Sequence, residues 1–346
     1  MAYALAGADC IDVAADPAVV AVTRTALDVA EQLQGGGTRG RGLFVRPLLM
    51  VSFSDGEDPH FRKAAFDPTC CPADCSRPCE RICPTQAINV ADTNTTQTEV
   101  LGVLSDRCFG CGRCVAICPL NRINTYSQIA SLPQLLPQLI ELGIDAIEIH
   151  TQVGRLTEFT QIWRSLQPWL QQLKLIAVSC SFQADVVGYL HTLAQMIQPL
   201  HCPLIWQVDG RSMSGDLGRG TTQLTIRFAQ QLLESDITGH IQLAGGTNDH
   251  TVGHLQRLGL LKTLAIPNQE QSEIAAQAVA GVGYGSYARK LLQPVLQELE
   301  IYGQPLEQVP ELLERAVGLA QTLITPLKHS SPQPKPPRKP LAYSLL

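Results

Sequence analysis

Leu48-Leu49-Met50-Val51-Ser52-Phe53, interrupted only by Ser52, reads as a strand buried on both faces. Such runs belong to parallel sheets whose faces are covered by helices. Outward from it the same kind of run recurs at Cys10–Ala14, Ala146–His150, Leu173–Ser179, Pro203–Val208, His240–Leu243 and Leu261–Ile266. Helical periodicity fills the intervals at Ala18–Gln34, Leu132–Leu142, Leu156–Leu173, Ala184–Ile197, Leu217–Ser235 and Thr251–Leu258. Strands alternating with helices specify an α/β fold with a parallel sheet. Their regular order favours a (β/α) barrel-like domain over an open sheet. Met1–Ala8 reads as the last turns of a helix closed by Gly7. With seven strand runs instead of eight, the expected barrel lacks its first βα unit.

The chain has 346 residues, with 26 basic and 31 acidic side chains and a formal charge of −5. A nucleic-acid surface needs clustered Lys and Arg, so that class is not expected. No run of 18 uninterrupted apolar residues marks a membrane span. Met1–Asp9 lacks the basic flank and apolar length of a secretion signal, so a cytoplasmic protein is expected.

Ser54–Ser127 breaks the rhythm and is too long for a connection. The expected organisation is a barrel-like domain over 1–54 and 127–325 and an inserted domain over 55–126. The insert has a polar loop at Asp92–Glu99. Helices are expected at Leu291–Ile301 and Glu307–Leu323. Residues 326–346 carry six prolines and only basic charges, the composition of a disordered tail.

Nine of the twelve cysteines lie between Cys70 and Cys118; Cys10, Cys180 and Cys202 adjoin apolar runs and read as buried thiols. A cysteine cluster in a large cytosolic chain points to metal, not disulfides. Cys108-Phe109-Gly110-Cys111-Gly112-Arg113-Cys114-Val115-Ala116-Ile117-Cys118-Pro119 is C-x2-C-x2-C-x3-C-P, the bacterial ferredoxin spacing. Three close thiolates wrap one cluster, and the fourth reaches the neighbouring one. Cys70-Cys71, Cys75, Cys79 and Cys83-Pro84 repeat the x3-C-P ending with looser earlier spacing. The crossed pattern assigns Cys83, Cys108, Cys111 and Cys114 to one 4Fe-4S cluster. It assigns Cys71, Cys75, Cys79 and Cys118 to the other, which is left open between 4Fe-4S and 3Fe-4S. Cys70 is an alternative ligand to Cys71. The insert is therefore a two-cluster, ferredoxin-like α+β domain.

From Cys70 to Cys118 five acidic residues face four Arg. That is not the strong acidic field that steers a diffusing carrier to its partners. A fixed relay or sensor fits better. At the expected carboxyl ends of the strands stand Asp12, Asp16, Ser54, Glu148, His150, Asp209, Arg211, Thr247 and Asn248. Gly245-Gly246-Thr247 and Gly281-Val282-Gly283-Tyr284-Gly285-Ser286 are weak candidates for holding an anion. No nucleophile–base pair can be assigned from spacing, and no catalytic residue is expected.

Ala8–Pro17, Arg46–Ala64, both cysteine runs, Leu142–Arg155 and Ala244–Thr251 together resemble the light-dependent period family of cyanobacteria. Family members usually begin a βα unit earlier. The resemblance implies two iron–sulfur clusters, sensing of cellular redox or light-driven electron flow, and association with circadian-clock input proteins. It implies no catalytic reaction. The expected function is a redox sensor with clock-input partners and, as further partners, redox carriers. The competing reading is an oxidoreductase whose clusters pass electrons to a flavin or small substrate in the barrel.

Overall fold

The computed structural model describes residues 1–35, 44–56, 63–72, 74–83, 85–90, 102–105, 107–108, 112–126, 132–210, 221–261 and 278–328. It divides into two compact units, Met1–Ser179 with Gln195–Leu204, and Cys180–Ala194 with Ile205–Leu346.

The first unit opens with α1 (Ala2–Leu5), β1 (Cys10–Ala14), α2 (Pro17–Gly35) and β2 (Leu48–Ser54). The cysteine-rich block follows: β3 (Lys63–Ala65), α3 (Pro78–Ile82), β4 (Ile88–Asn89), β5 (Gly102–Val103), α4 (Arg113–Ile117) and β6 (Asn124–Tyr126). Then come α5 (Leu132–Glu141), β7 (Ala146–Thr151), α6 (Leu156–Leu166), β8 (Leu175–Ser181) and α7 (Val186–Ile197), the last two reaching across the division of the chain. The strand order is β1-β2-β7-β8. β2 pairs in parallel with β1 (Ala14 beside Ser52) and with β7 (Ser52 beside Glu148). β2 is buried along all but its ends, which a parallel strand covered on both faces requires.

Helix α2 begins where Pro17 takes the first helical position and Asp16 caps it. The Asp16 Oδ1 accepts the Ala18 N–H at 2.9 Å. Helices α5 and α6 bury one stripe each, Leu132, Leu136 and Leu139 on one and Phe159, Trp163 and Leu166 on the other. Both stripes follow the i, i+4, i+7 spacing of a single helix face.

The second unit carries β9 (Leu204–Asp209), α8 (Thr221–Leu233), β10 (His240–Ala244), α9 (Thr251–Arg257), β11 (Gly281–Val282), α10 (Ser286–Tyr302) and α11 (Pro310–Lys328). Its strands run parallel in the order β9-β10-β11. Among the described residues the α/β architecture with parallel strands is the one the periodicity called for.

Several boundaries differ from the sequence expectation. The Leu156–Leu173 helix stops at Leu166 and continues as a tighter 3-10 turn over Gln167–Gln172, because Pro168 has no N–H to extend the α ladder. The strand expected at Leu173–Ser179 is shifted to Leu175–Ser181. Of Leu261–Ile266 only Leu261 is described, in a single bridge to Val279, and the last strand is Gly281–Val282 instead. Glycines at 281 and 283 hid it, since strand propensity disfavours glycine. Ladder bonds from Ala280 N–H to Ile241 O and Gly283 N–H to Leu243 O, both 2.7 Å, hold it regardless. The helix expected over Leu291–Ile301 begins earlier, at Ser286. Glu307–Leu323 opens with a 3-10 turn, Leu306–Gln308, before α11 starts at Pro310. The expected tail begins late, since α11 extends through Pro326 to Lys328, anchored by Leu312, Ala316, Val317, Ala320 and Leu323. Residues 329–346 and the Asp92–Glu99 loop lie outside the described residues.

Candidate functional site

The cysteine block is framed by two short antiparallel ladders. Ala64 of β3 faces Thr125 of β6, and Ile88 of β4 faces Val103 of β5. Between them α3 and α4 are built alike. Each has five residues, each is preceded by a left-handed residue (Arg77 at φ +49°, Gly112 at φ +74°), and each ends at a cysteine in extended conformation. Gly112 adopts that φ without strain. Arg77 does not, and its Nη1 donates to Val90 O at 2.8 Å while Glu80 Oε1 accepts the Val90 N–H at 2.6 Å. That clamp to the residue after β4 holds the turn.

The repeated geometry explains the x3 spacing. The inner cysteines, Cys79 and Cys114, are buried within their helices, and Cys83 and Cys118 sit where each chain turns away. The two thiols of each half therefore point into different cavities. One is lined by Cys71, Cys75, Cys79 and Cys118 with Phe66, Pro78 and Ile123. The other is lined by Cys83, Cys108 and Cys114 with Ala64, Ile88 and Val103. Cys111 lies outside the described residues. Cys70 is exposed, its thiol 3.6 Å from Asp67 Oδ2, and is not in the lining of either cavity. Asp67 does line the first, but its carboxylate is occupied by Thr69 and Cys70.

Backbone amides point at the sulfurs. Ala87 N–H donates to Cys83 Sγ at 3.2 Å, Arg122 N–H to Cys118 Sγ at 3.4 Å and Ala64 N–H to Cys108 Sγ at 3.5 Å. Burial pushes the Cys118 thiol up, but amides of Arg122, Leu120, Ile123 and Asn121 outweigh it and leave the thiol below its ordinary value. Burial raises Cys71 and Cys79, with Cys75 adding to the rise at Cys71. Among the described residues no three His, Cys, Asp or Glu side chains converge as the shell of a single ion. Thiols instead stand around two apolar cavities and accept N–H bonds, a donor set that suits iron–sulfur clusters, in which each thiolate binds a different iron.

Elsewhere in the first unit, Ser52 donates to Asp12 Oδ1 at 2.6 Å and lies 3.1 Å from Glu148 Oε2, and His150 Nδ1 is 3.5 Å from Glu148 Oε1. Asp12 is exposed, yet desolvation by the surrounding chain and then the Glu148 charge raise its carboxyl above the usual range. Burial first, and then the carboxylates of Asp12 and Glu148, push the Cys10 thiol up to about 12. Ser54 accepts the Gly56 N–H at 3.2 Å. Asp16 is spent on Lys63, at 2.9 Å.

Asp55 is raised from 3.8 to about 6, chiefly by burial, against the opposing Thr151 hydroxyl and Arg155. Between those values the folded chain keeps a proton the unfolded chain has released, so this group's contribution to stability falls as pH rises through the window. Asp55→Asn removes the effect. Its stability relative to wild type is expected to grow from about pH 4 to about pH 7, read from chemical unfolding; a difference that stays constant with pH refutes the assignment.

In the second unit the Gly245-Gly246 turn is left-handed at both residues, and a side chain at 245 would collide with Asp209 Oδ1. A carboxylate on that spot repels a phosphate. Thr247 donates to Gly283 O at 2.6 Å and Asn248 Nδ2 to Thr222 Oγ1 at 3.2 Å, so both fasten the loop. Arg211 lies outside the described residues. Lys63, Arg77 and Glu80 escaped sequence reasoning because only the folded block brings their partners near.

The Light dependent period A C-terminal domain profile matches residues 138–326, and that of the LdpA Fe-S cluster-binding domain matches residues 71–129. The chain is 48% identical over 330 residues to "Light dependent period A" of Synechococcus elongatus, covering 95% of this chain and 86% of that protein. No solved structure matches. Among the described residues no helix is long and apolar enough to cross a membrane.

Proposed function

The chain belongs to the Light dependent period A family, and we propose from that premise that it is a cytoplasmic redox sensor. It holds two clusters and relays redox or light state to circadian-clock input proteins. The inserted block is ferredoxin-like, and its ligands are Cys83, Cys108, Cys111 and Cys114 for a 4Fe-4S cluster and Cys71, Cys75, Cys79 and Cys118 for the other, 4Fe-4S or 3Fe-4S. The observation that carries this reading is that each described cavity is lined by thiols from both cysteine runs. Bound clusters would supply one-electron chemistry at potentials tuned by hydrogen bonds to sulfur. The chain's part is to hold the thiolates with the Ala64, Ala87 and Arg122 amides and to shield them with Phe66, Ile88, Val103 and Ile123.

A sensor needs two states that a partner tells apart. One electron changes the charge of a partly dry site by a full unit, where charge interactions are several-fold stronger than in water. The test is affinity for clock-input proteins in the oxidised and the dithionite-reduced protein at matched iron and sulfide content. Affinities are expected to differ by about 5- to 150-fold, the usual range of coupling between sites. Equal affinities, together with a stoichiometric flavin and turnover, would establish the oxidoreductase reading instead.

A further inference from the structure

We propose that Lys63 is the residue through which the electron count of the Cys83, Cys108, Cys111 and Cys114 centre is felt at the start of α2. The proposal rests on the cluster-binding reading above and concerns how that centre's state reaches the sheet. Lys63 is buried, and its ammonium lies 2.9 and 3.1 Å from the two oxygens of Asp16, which is buried too. The same ammonium donates to the Ser105 carbonyl, in the loop that leads into Cys108. That loop is closed by Cys108 N–H on Leu104 O at 3.0 Å. The next residue of β3, Ala64, lines the second cavity and aims its N–H at Cys108 Sγ.

Asp16 has a second task. Its Oδ1 accepts the Ala18 N–H at 2.9 Å in the first turn of α2. One ammonium thus touches the cap of a helix and the loop carrying a cluster thiol, with protein and not water around it. Charges in such surroundings interact over longer distances than in solvent. An electron delivered by a one-electron donor adds negative charge to the centre and competes with Asp16 for the Lys63 ammonium. Asp16 then loses counter-charge, a buried carboxylate without its partner is disfavoured, and the first turn of α2 loosens. By reciprocity, the Lys63–Asp16 pair must also set the ease with which that centre is reduced.

The experiment compares full-length wild type, Lys63→Met, Asp16→Asn and the double variant, each loaded to the same iron and sulfide content. Potentials of both centres are followed by paramagnetic resonance during dithionite titration. Lys63→Met is expected to make reduction of the Cys83 centre about tenfold less favourable, about 59 mV for one electron. Asp16→Asn should shift it the other way, and the double variant should return near wild type, with the Cys71 centre unmoved throughout. Amide exchange at Ala18 is expected to quicken on reduction in wild type and to ignore redox state in Lys63→Met. Should Lys63→Met not fold, the double variant must still lie at a lower potential than Asp16→Asn. Intact centres with unmoved potentials, or same-sign shifts in both centres, overturn the role of Lys63 alone. A wild-type chain that takes up no cluster overturns the cluster reading and this inference with it.

Discussion

Cys83→Ser is expected to abolish the centre built on Cys108, Cys111 and Cys114 and to leave the one on Cys71, Cys75 and Cys79 in place. Cys83 belongs by sequence to the first run, yet it ends α3 in extended conformation and lines the cavity of Cys108 and Cys114. There its sulfur accepts the Ala87 N–H. A cubane missing one thiolate is the labile one, so iron should fall by about half and one resonance signal should vanish. Cys118→Ser should give the mirror result, since Cys118 ends α4 but lines the cavity of Cys71, Cys75 and Cys79. Loss of only the first-run centre in Cys83→Ser would overturn the crossed arrangement, because each run would then hold its own cluster.

Trp206→Ala is expected to reduce stability by ~3–5 kcal/mol, the cost of truncating a buried aromatic residue to alanine. Trp206 lies in the middle of β9, is 1% exposed, and is among the largest fully buried side chains. Its indole N–H donates to Thr238 O at 2.8 Å, just ahead of β10. Alanine leaves a cavity and strands that carbonyl, so both terms act in the same direction. The change should show as a lower denaturant midpoint at unchanged slope. Trp206→Phe, which keeps most of the volume, should lose much less. Equal losses for the two variants would mean that the hydrogen bond, not the buried ring, dominates.

The parallel α/β character was legible because runs such as Leu48–Phe53 are apolar at nearly every position, and only double-sided burial explains that. Helix faces were legible from spacing alone, as in Leu132, Leu136 and Leu139. Strand β11 was not, because Gly281 has no side chain to declare a buried face and is held by backbone bonds that any sequence can make. The end of α6 was missed for a local reason, the absent N–H of Pro168, and the extension of α11 through Pro326 for a tertiary one, the buried stripe before it.

By itself the sequence determined the types of thiol-bearing run, their spacing and the chemistry those residues prefer, since ligand type and short-range spacing are covalent facts. The crossed grouping of Cys83 with Cys108 and Cys114, and of Cys118 with Cys71, Cys75 and Cys79, was read from the C-x3-C-P spacing. Only the tertiary structure decided that Phe66 and Ile123 wall one cavity and Ile88 and Val103 the other. It also decided that Arg77 and Glu80 clamp Val90, and that Lys63 finds Asp16 far away in the chain. The physical reason is common to all of these. A cavity's walls and a buried charge's partner are both set by which segments meet around them. Neither is written in the spacing of the residues concerned.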